Sequence, residues 1–186
     1  MQHDYVFAGF GGQGVMFAGQ LLAYAAMDEG LQVTWIPSYG PEMRGGTANC
    51  SVVISDRLIG SPAVSRPQHA IVFNNPSFDK YVDRIAVGGL LLVNSSLVTK
   101  QSIRKDITTL YVPATDLADQ VGDLKLANMV LMGALITASP VMTLEAVKRA
   151  LDVHSSKRDK LPLNLKALDA GAQAVVVAHR EGCLAW

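Results

Sequence analysis

The 186 residues carry 16 Lys and Arg against 16 Asp and Glu, a formal net charge of zero. No basic excess therefore argues for a nucleic acid or an anionic membrane as partner. At 49% hydrophobic and 17% charged, the chain can bury one full core but is too short for two ordinary domains, so a single domain over residues 1–186 is expected rather than a disordered chain.

Apolar stretches are broken by Gln20, Tyr24, Asn94 and Asn128 before they reach the length of a membrane span, and Met1 to Asp4 hold no basic leader. A cytoplasmic chain outside the membrane is the expectation. The two cysteines, Cys50 and Cys183, lie in no CxxC pair. They are too few to ligate an iron–sulfur cluster or a structural zinc alone, so no metal site is expected.

In chain order, Tyr5-Val6-Phe7-Ala8 predicts a strand that runs into a glycine cluster. Val15, Ala18, Leu22, Ala25 and Ala26 then recur at helical spacing as far as Gly30, a helix stop. Gln32-Val33-Thr34-Trp35-Ile36 reads as a second strand, which would complete a βαβ crossover. Residues 37–46 form a loop dense in Pro and Gly.

Residues 47–55 are β-branched and alternate around Val52 and Ile54, and 70–73, 90–93 and 109–112 read as further buried strands. Residues 126–137, apolar nearly all round, predict a buried helix, with Met129 and Met132 in the core. Leu144, Val147 and Leu151 form a stripe capped by Thr143. Residues 163–177 predict a last helix, with Val175-Val176-Val177 leaving a strand open. The fold class expected is α/β, a Rossmann-like open and mostly parallel sheet with helices on both faces.

Gly9-Phe10-Gly11-Gly12-Gln13-Gly14 fits GxGxxG between a strand and a helix, where backbone N–H groups can face a phosphate. The same glycines also serve, with no ligand, as a tight turn packed against the helix. A ribose-binding acid is missing at the end of the second strand, Trp35-Ile36-Pro37-Ser38, which weakens the reading as an NAD site. Gln13 has the length to reach across a cleft to a ligand or a neighbouring chain.

Ser38-Tyr39-Gly40-Pro41-Glu42-Met43-Arg44-Gly45-Gly46-Thr47 lies at the carboxyl end of the second strand, the edge where open α/β sheets bind ligands. Glycine pairs admit a close backbone approach, Arg44 offers a fork for carboxylate or phosphate, and Tyr39 offers a hydroxyl and a stacking face. An Arg44–Glu42 pair that merely fixes the loop is the plain structural alternative. His3, His69, His154 and His179 have no metal-ligand spacing and are expected on the surface or in loops. Cys50 is expected to be a buried, inert thiol.

GFGGQGVMFAGQLLAYAA followed by IPSYGPEMRGGTANCSVVIS, with the later NMVLMGAL and NLKALDAG, resembles the gamma subunit of pyruvate and 2-oxoglutarate ferredoxin oxidoreductases. The resemblance spans nearly the whole chain. It implies one subunit of an enzyme that oxidatively decarboxylates a 2-oxoacid, 2-oxoglutarate on overall likeness, makes an acyl-CoA and passes electrons to ferredoxin or a similar acceptor. Thiamine diphosphate and iron–sulfur clusters would then sit on alpha, beta and, where present, delta subunits, with no cofactor held by this chain alone.

The positions carried over as shaping the coenzyme A approach are Gly11, Gly12, Gln13, Gly14, Tyr39, Gly40, Pro41, Glu42, Arg44, Gly45 and Gly46, with no catalytic residue. Gln68-His69 departs from the acid that members of the family often place there. A free-standing nucleotide-binding protein or NAD(P)-dependent reductase is the competing reading. Expressed alone, the chain is expected to form a homodimer or to aggregate through its uncovered partner face.

Overall fold

The computed structural model describes residues 1–40, 46–155 and 157–180. Its strands are β1 (Gln2–Phe10), β2 (Gln32–Tyr39), β3 (Thr47–Ser55), β4 (His69–Val72), β5 (Leu90–Asn94) and β6 (Thr108–Val112). Its helices are α1 (Val15–Asp28), α2 (Asn75–Tyr81), α3 (Ala114–Val121), α4 (Ala127–Ala138), α5 (Leu144–His154) and α6 (Leu161–Arg180). The strands form one sheet in the order β2-β3-β1-β4-β5-β6. The β1–β4, β4–β5 and β5–β6 pairs are parallel, whereas β3 runs antiparallel to both β1 and β2.

The expected β1–α1–β2 crossover therefore exists only in part. β2 points the same way as β1 but does not touch it, because β3 turns back and lies between them. Nine residues of β1 pair with nine of β3, from Gln2 opposite Ser55 to Phe10 opposite Thr47. That register turns Cys50, Val52 and Ile54 to the same buried face as Tyr5 and Phe7, so hydrophobic alternation fixes it. Parallel pairing is confined to β1, β4, β5 and β6.

The two faces are covered unequally. Tyr5, Phe7, Ile71, Leu90, Leu92 and Leu110 pack under α1 and α3 to α6, while Val6, Ala8, Ala70, Val72, Leu91 and Val93 pack under α2 and its following turn. Every residue of α4 but Thr137 is buried, as a helix apolar on all sides must be. It touches α1, α3, α5, α6 and β5. Gly133 of α4 faces the backbone of Leu168, and Gly171 of α6 faces the backbone of Val130. The two axes approach so closely that neither glycine has room for a Cβ.

Local signals account for the helix ends. Thr143 accepts the Ala146 N–H at 3.1 Å and caps α5, as its sequence position predicts. Asn74 accepts the Ser77 N–H at 3.0 Å and starts α2, with Pro76 in the first turn. The sequence expectations did not include α2 and α3, since seven and eight residues are too few to establish a helical period. α6 is continuous through Val175, Val176 and Val177, so the strand alternative there is set aside.

Candidate functional site

The glycine turn is built from the end of β1 into α1. Gly12 and Gly14 have φ of 97° and 75°, the left-handed region that glycine enters without penalty. Gly9 admits no side chain either, because a Cβ there would lie 2.6 Å from Gln13 Oε1 and 2.9 Å from Phe73 Cβ. The Gln13 side chain does not extend into a cleft. Its amide oxygen accepts the Phe10 N–H at 2.7 Å and an Asn74 Nδ2–H at 3.1 Å. Gln13 thus ties the turn to the start of α2.

The two loops singled out by sequence meet. Gly11 donates its N–H to the Gly46 carbonyl at 2.9 Å, and Gly40 donates to the Thr47 carbonyl at 2.7 Å. Both loops sit at the carboxyl ends of β1 and β2. Gly11 and Gly12 are exposed, Gln13, Gly14 and Gly40 half-buried, Gly46 buried, and Tyr39 is 69% exposed. Pro41, Glu42, Arg44 and Gly45 lie outside the described residues. A Cβ on Gly12 would meet nothing within 4 Å, so its peptide is open to approach by another molecule. β2 ends in Ser38 and Tyr39, with no carboxylate to hold a ribose.

Two supporting residues were absent from the sequence expectations. Asn128, at the start of α4, donates from Nδ2 to the Gly14 carbonyl at 3.2 Å and accepts the Met129 N–H at 2.9 Å. It is the one amide in a nearly all-apolar helix, and that was its signal. Asn74 both caps α2 and holds Gln13. Beside the turn, Thr47, Asn49, Ser77 and Lys80 border a depression of about 20 Å³, room for about one water.

His69 is not a surface residue. It is 7% exposed, with Nε2 2.7 Å from Ser139 Oγ and Nδ1 3.1 Å from the Asp4 carbonyl. A carbonyl only accepts, so the neutral ring carries its proton on Nδ1 and receives the Ser139 hydroxyl proton at Nε2. The ring stacks on Tyr5 at 4.4 Å. Burial pulls its pKa down to about 4.

Cys50 is fully buried and leans on the Val15 carbonyl at 3.7 Å, with burial pushing its pKa up to about 11. An inert thiol is the result. We expect iodoacetamide to leave Cys50 unmodified in the folded chain and to alkylate it after denaturation, as read by peptide mass mapping. Alkylation of Cys50 at equal rates in both states would contradict its burial. Among the described residues no three His, Cys, Asp or Glu converge in metal-ligating geometry, and no helix is long and apolar enough to cross a membrane.

Among the described residues, the two glycine loops meet by hydrogen bonds at one edge of an open α/β sheet, and no carboxylate stands at the end of β2. Residues 4–174 match the family model described as pyruvate ferredoxin/flavodoxin oxidoreductase. The chain belongs to that family. It is 35% identical over 189 residues to the 2-oxoglutarate synthase subunit KorC of Methanothermobacter marburgensis, covering 97% of this chain and all of that one.

It is 39% identical over 168 residues to the ketoisovalerate oxidoreductase subunit VorA of Methanothermobacter thermautotrophicus; that match takes in 89% of this chain and 35% of the relative's length. The crystal structure of the keto/oxoacid ferredoxin oxidoreductase gamma subunit from Geobacter sulfurreducens superposes with a TM-score of 0.82 at 32% identity, over 95% of this chain and 99% of that one.

Proposed function

We propose that this chain is the gamma subunit of a CoA-acylating 2-oxoacid:ferredoxin oxidoreductase, with 2-oxoglutarate as substrate, and that its joined loops shape the path by which coenzyme A reaches the centre. The observation that carries this reading is the Gly11 N–H to Gly46 carbonyl bond, which fuses the two family motifs into one edge. The exposed peptide group at Gly12 suits a phosphate-bearing or backbone partner. The end-to-end match to KorC supports 2-oxoglutarate; the likeness to VorA favours a branched-chain 2-oxoacid as the second reading.

Thiamine diphosphate and iron–sulfur clusters would supply the carbanion and electron-transfer chemistry from alpha, beta and, where present, delta partners. Two cysteines in 186 residues fit no cluster of four thiolates. On this chain the residues orient and bind. Gly12 and Gly14 hold the turn, Gln13 braces it from within, and Tyr39 and Arg44 supply the polar groups for coenzyme A.

Co-expression with the neighbouring genes should yield a brown complex that reduces a viologen dye only with a 2-oxoacid and coenzyme A. Testing 2-oxoglutarate against 2-oxoisovalerate decides between the two substrates. In that complex Arg44→Ala is expected to raise KM for coenzyme A about 30-fold, close to 2 kcal/mol for a charged hydrogen bond, with kcat little changed. A chain that purifies alone and binds NAD(P) tightly would overturn the assignment. An unchanged KM would remove Arg44 from the coenzyme A path and leave the loop an assembly contact.

A further inference from the structure

A second cavity lies away from the glycine loops. It is a cleft of about 520 Å³ between α1, the turn before α4, α5 and the start of α6, within the roughly 300–1,000 Å³ usual for small-molecule sites. Phe17, Leu21, Leu126 and Leu151 make it apolar over much of its lining, and the Phe17 ring is 40% exposed. Lys125, Lys157 and Lys160 stand around it with a single carboxylate, Asp123. Asp123 pairs with Lys160 at 3.1 Å and also feels the charge of Lys125, while the ammonium groups of Lys125 and Lys157 make no ion pair or hydrogen bond among the described residues.

Two amide oxygens in the same cleft are also unused. Gln20 spends its Nε2 on Tyr24 Oη at 3.1 Å, and Asn164 spends its Nδ2 on the Lys160 carbonyl at 2.9 Å. Gln20 Oε1 and Asn164 Oδ1 have no donor among the described residues. The cleft thus offers an apolar lining with an aromatic ring, two free acceptors, and two free cations. A small dicarboxylate would satisfy the cations but leave the lining bare, and an apolar compound would leave the cations unused.

We propose that this cleft binds a purine nucleotide, with the base against Phe17 and Leu21, its exocyclic amine facing the free amide oxygens, and its phosphates at Lys125 and Lys157. The site is separate from the glycine edge and does not rest on the function proposed for it.

Calorimetric titration of the full chain with ADP, adenosine and inorganic phosphate tests this. ADP is expected to bind one to one in the submillimolar range, and adenosine and phosphate at least about tenfold more weakly. The Lys125→Ala, Lys157→Ala double variant alters two exposed side chains, and its melting curve reports whether the fold is kept. It should weaken ADP at least about tenfold and leave adenosine unchanged.

Gln20→Leu should lower the preference for ADP over a pyrimidine diphosphate. The absence of saturable binding at millimolar ADP overturns the proposal. Phosphate binding as tight as ADP would reduce the cleft to a lysine patch and overturn it too. Loss of ADP binding in Arg44→Ala would place the nucleotide at the glycine edge and likewise overturn the assignment to the cleft.

Discussion

Replacing Gly133 with alanine is expected to destabilise the chain by about 3 kcal/mol, roughly a 10 °C fall in Tm for a domain of this size. On a helix exposed to water the same change would stabilise by about 1 kcal/mol. The sign reverses because α4 and α6 meet backbone to backbone. A Cβ at Gly133 would enter the Leu168 peptide, and one at Gly171 would enter the Val130 peptide. Neither obstacle is the end of a flexible side chain, so a whole helix has to shift.

That shift would open space under α4, where Met129, Leu131, Met132 and Leu135 are all fully buried, and lost packing adds to the overlap. Urea melts of Gly133→Ala beside Thr137→Ala give the measurement. Thr137 is the half-exposed residue of the same helix, with its hydroxyl turned back to the Gly133 carbonyl at 2.9 Å. Its alanine variant should stay within about 0.5 kcal/mol of the parent. A Gly133→Ala protein as stable as the parent would show that the two helices are held less tightly than described.

The second large effect is loss of stability in acid. His69 has a folded pKa of about 4 against about 6.5 in an unfolded chain. The unfolded state therefore takes up the proton first as pH falls. Stability from this group is complete above pH about 6.5, declines between about 6.5 and 4, and is level below that, for a total loss of up to about 3 kcal/mol. Protonation would also require Nε2 to donate where it now accepts from Ser139, and would place a charge against the stacked Tyr5 ring.

His3, whose pKa burial also lowers, adds to the loss. Asp4, whose carboxyl pKa burial raises, acts with the opposite sign at lower pH. Comparison with His69→Gln isolates the histidine. The variant starts less stable at pH 7, but its denaturation midpoint should change much less between pH 6.5 and 4. Parallel curves for the two proteins would show that another group controls the acid response.

Much of the candidate site was legible in the sequence. Gly12 and Gly14 announce their positive φ because the spacing GxGxxG after a strand has few other uses, and the Pro- and Gly-rich loop advertises itself by composition. The bond between Gly11 and Gly46 was not legible, since it joins residues far apart in the chain. Gln13 shows the limit of reading side chains singly. Its length suggests reach, yet the nearest unsatisfied donors are the Phe10 N–H and the Asn74 amide, and it turns inward to them. His69 was misjudged because nothing local to Gln68-His69 reveals that Ser139 and the Asp4 carbonyl arrive to satisfy both ring nitrogens, which is what lets an imidazole be buried neutral.

The sequence by itself determined the strands and the longer helices, through alternation at period two and apolar recurrence at helical spacing, and it determined the family through two ordered motifs. Those signals are local, and local geometry decides them. Only the tertiary structure decided that β3 enters between β1 and β2, that α4 and α6 cross on two glycines, and that Lys125, Lys157, Gln20 and Asn164 surround one cleft. Each of those depends on which surfaces meet once apolar faces are buried, a property of the whole chain.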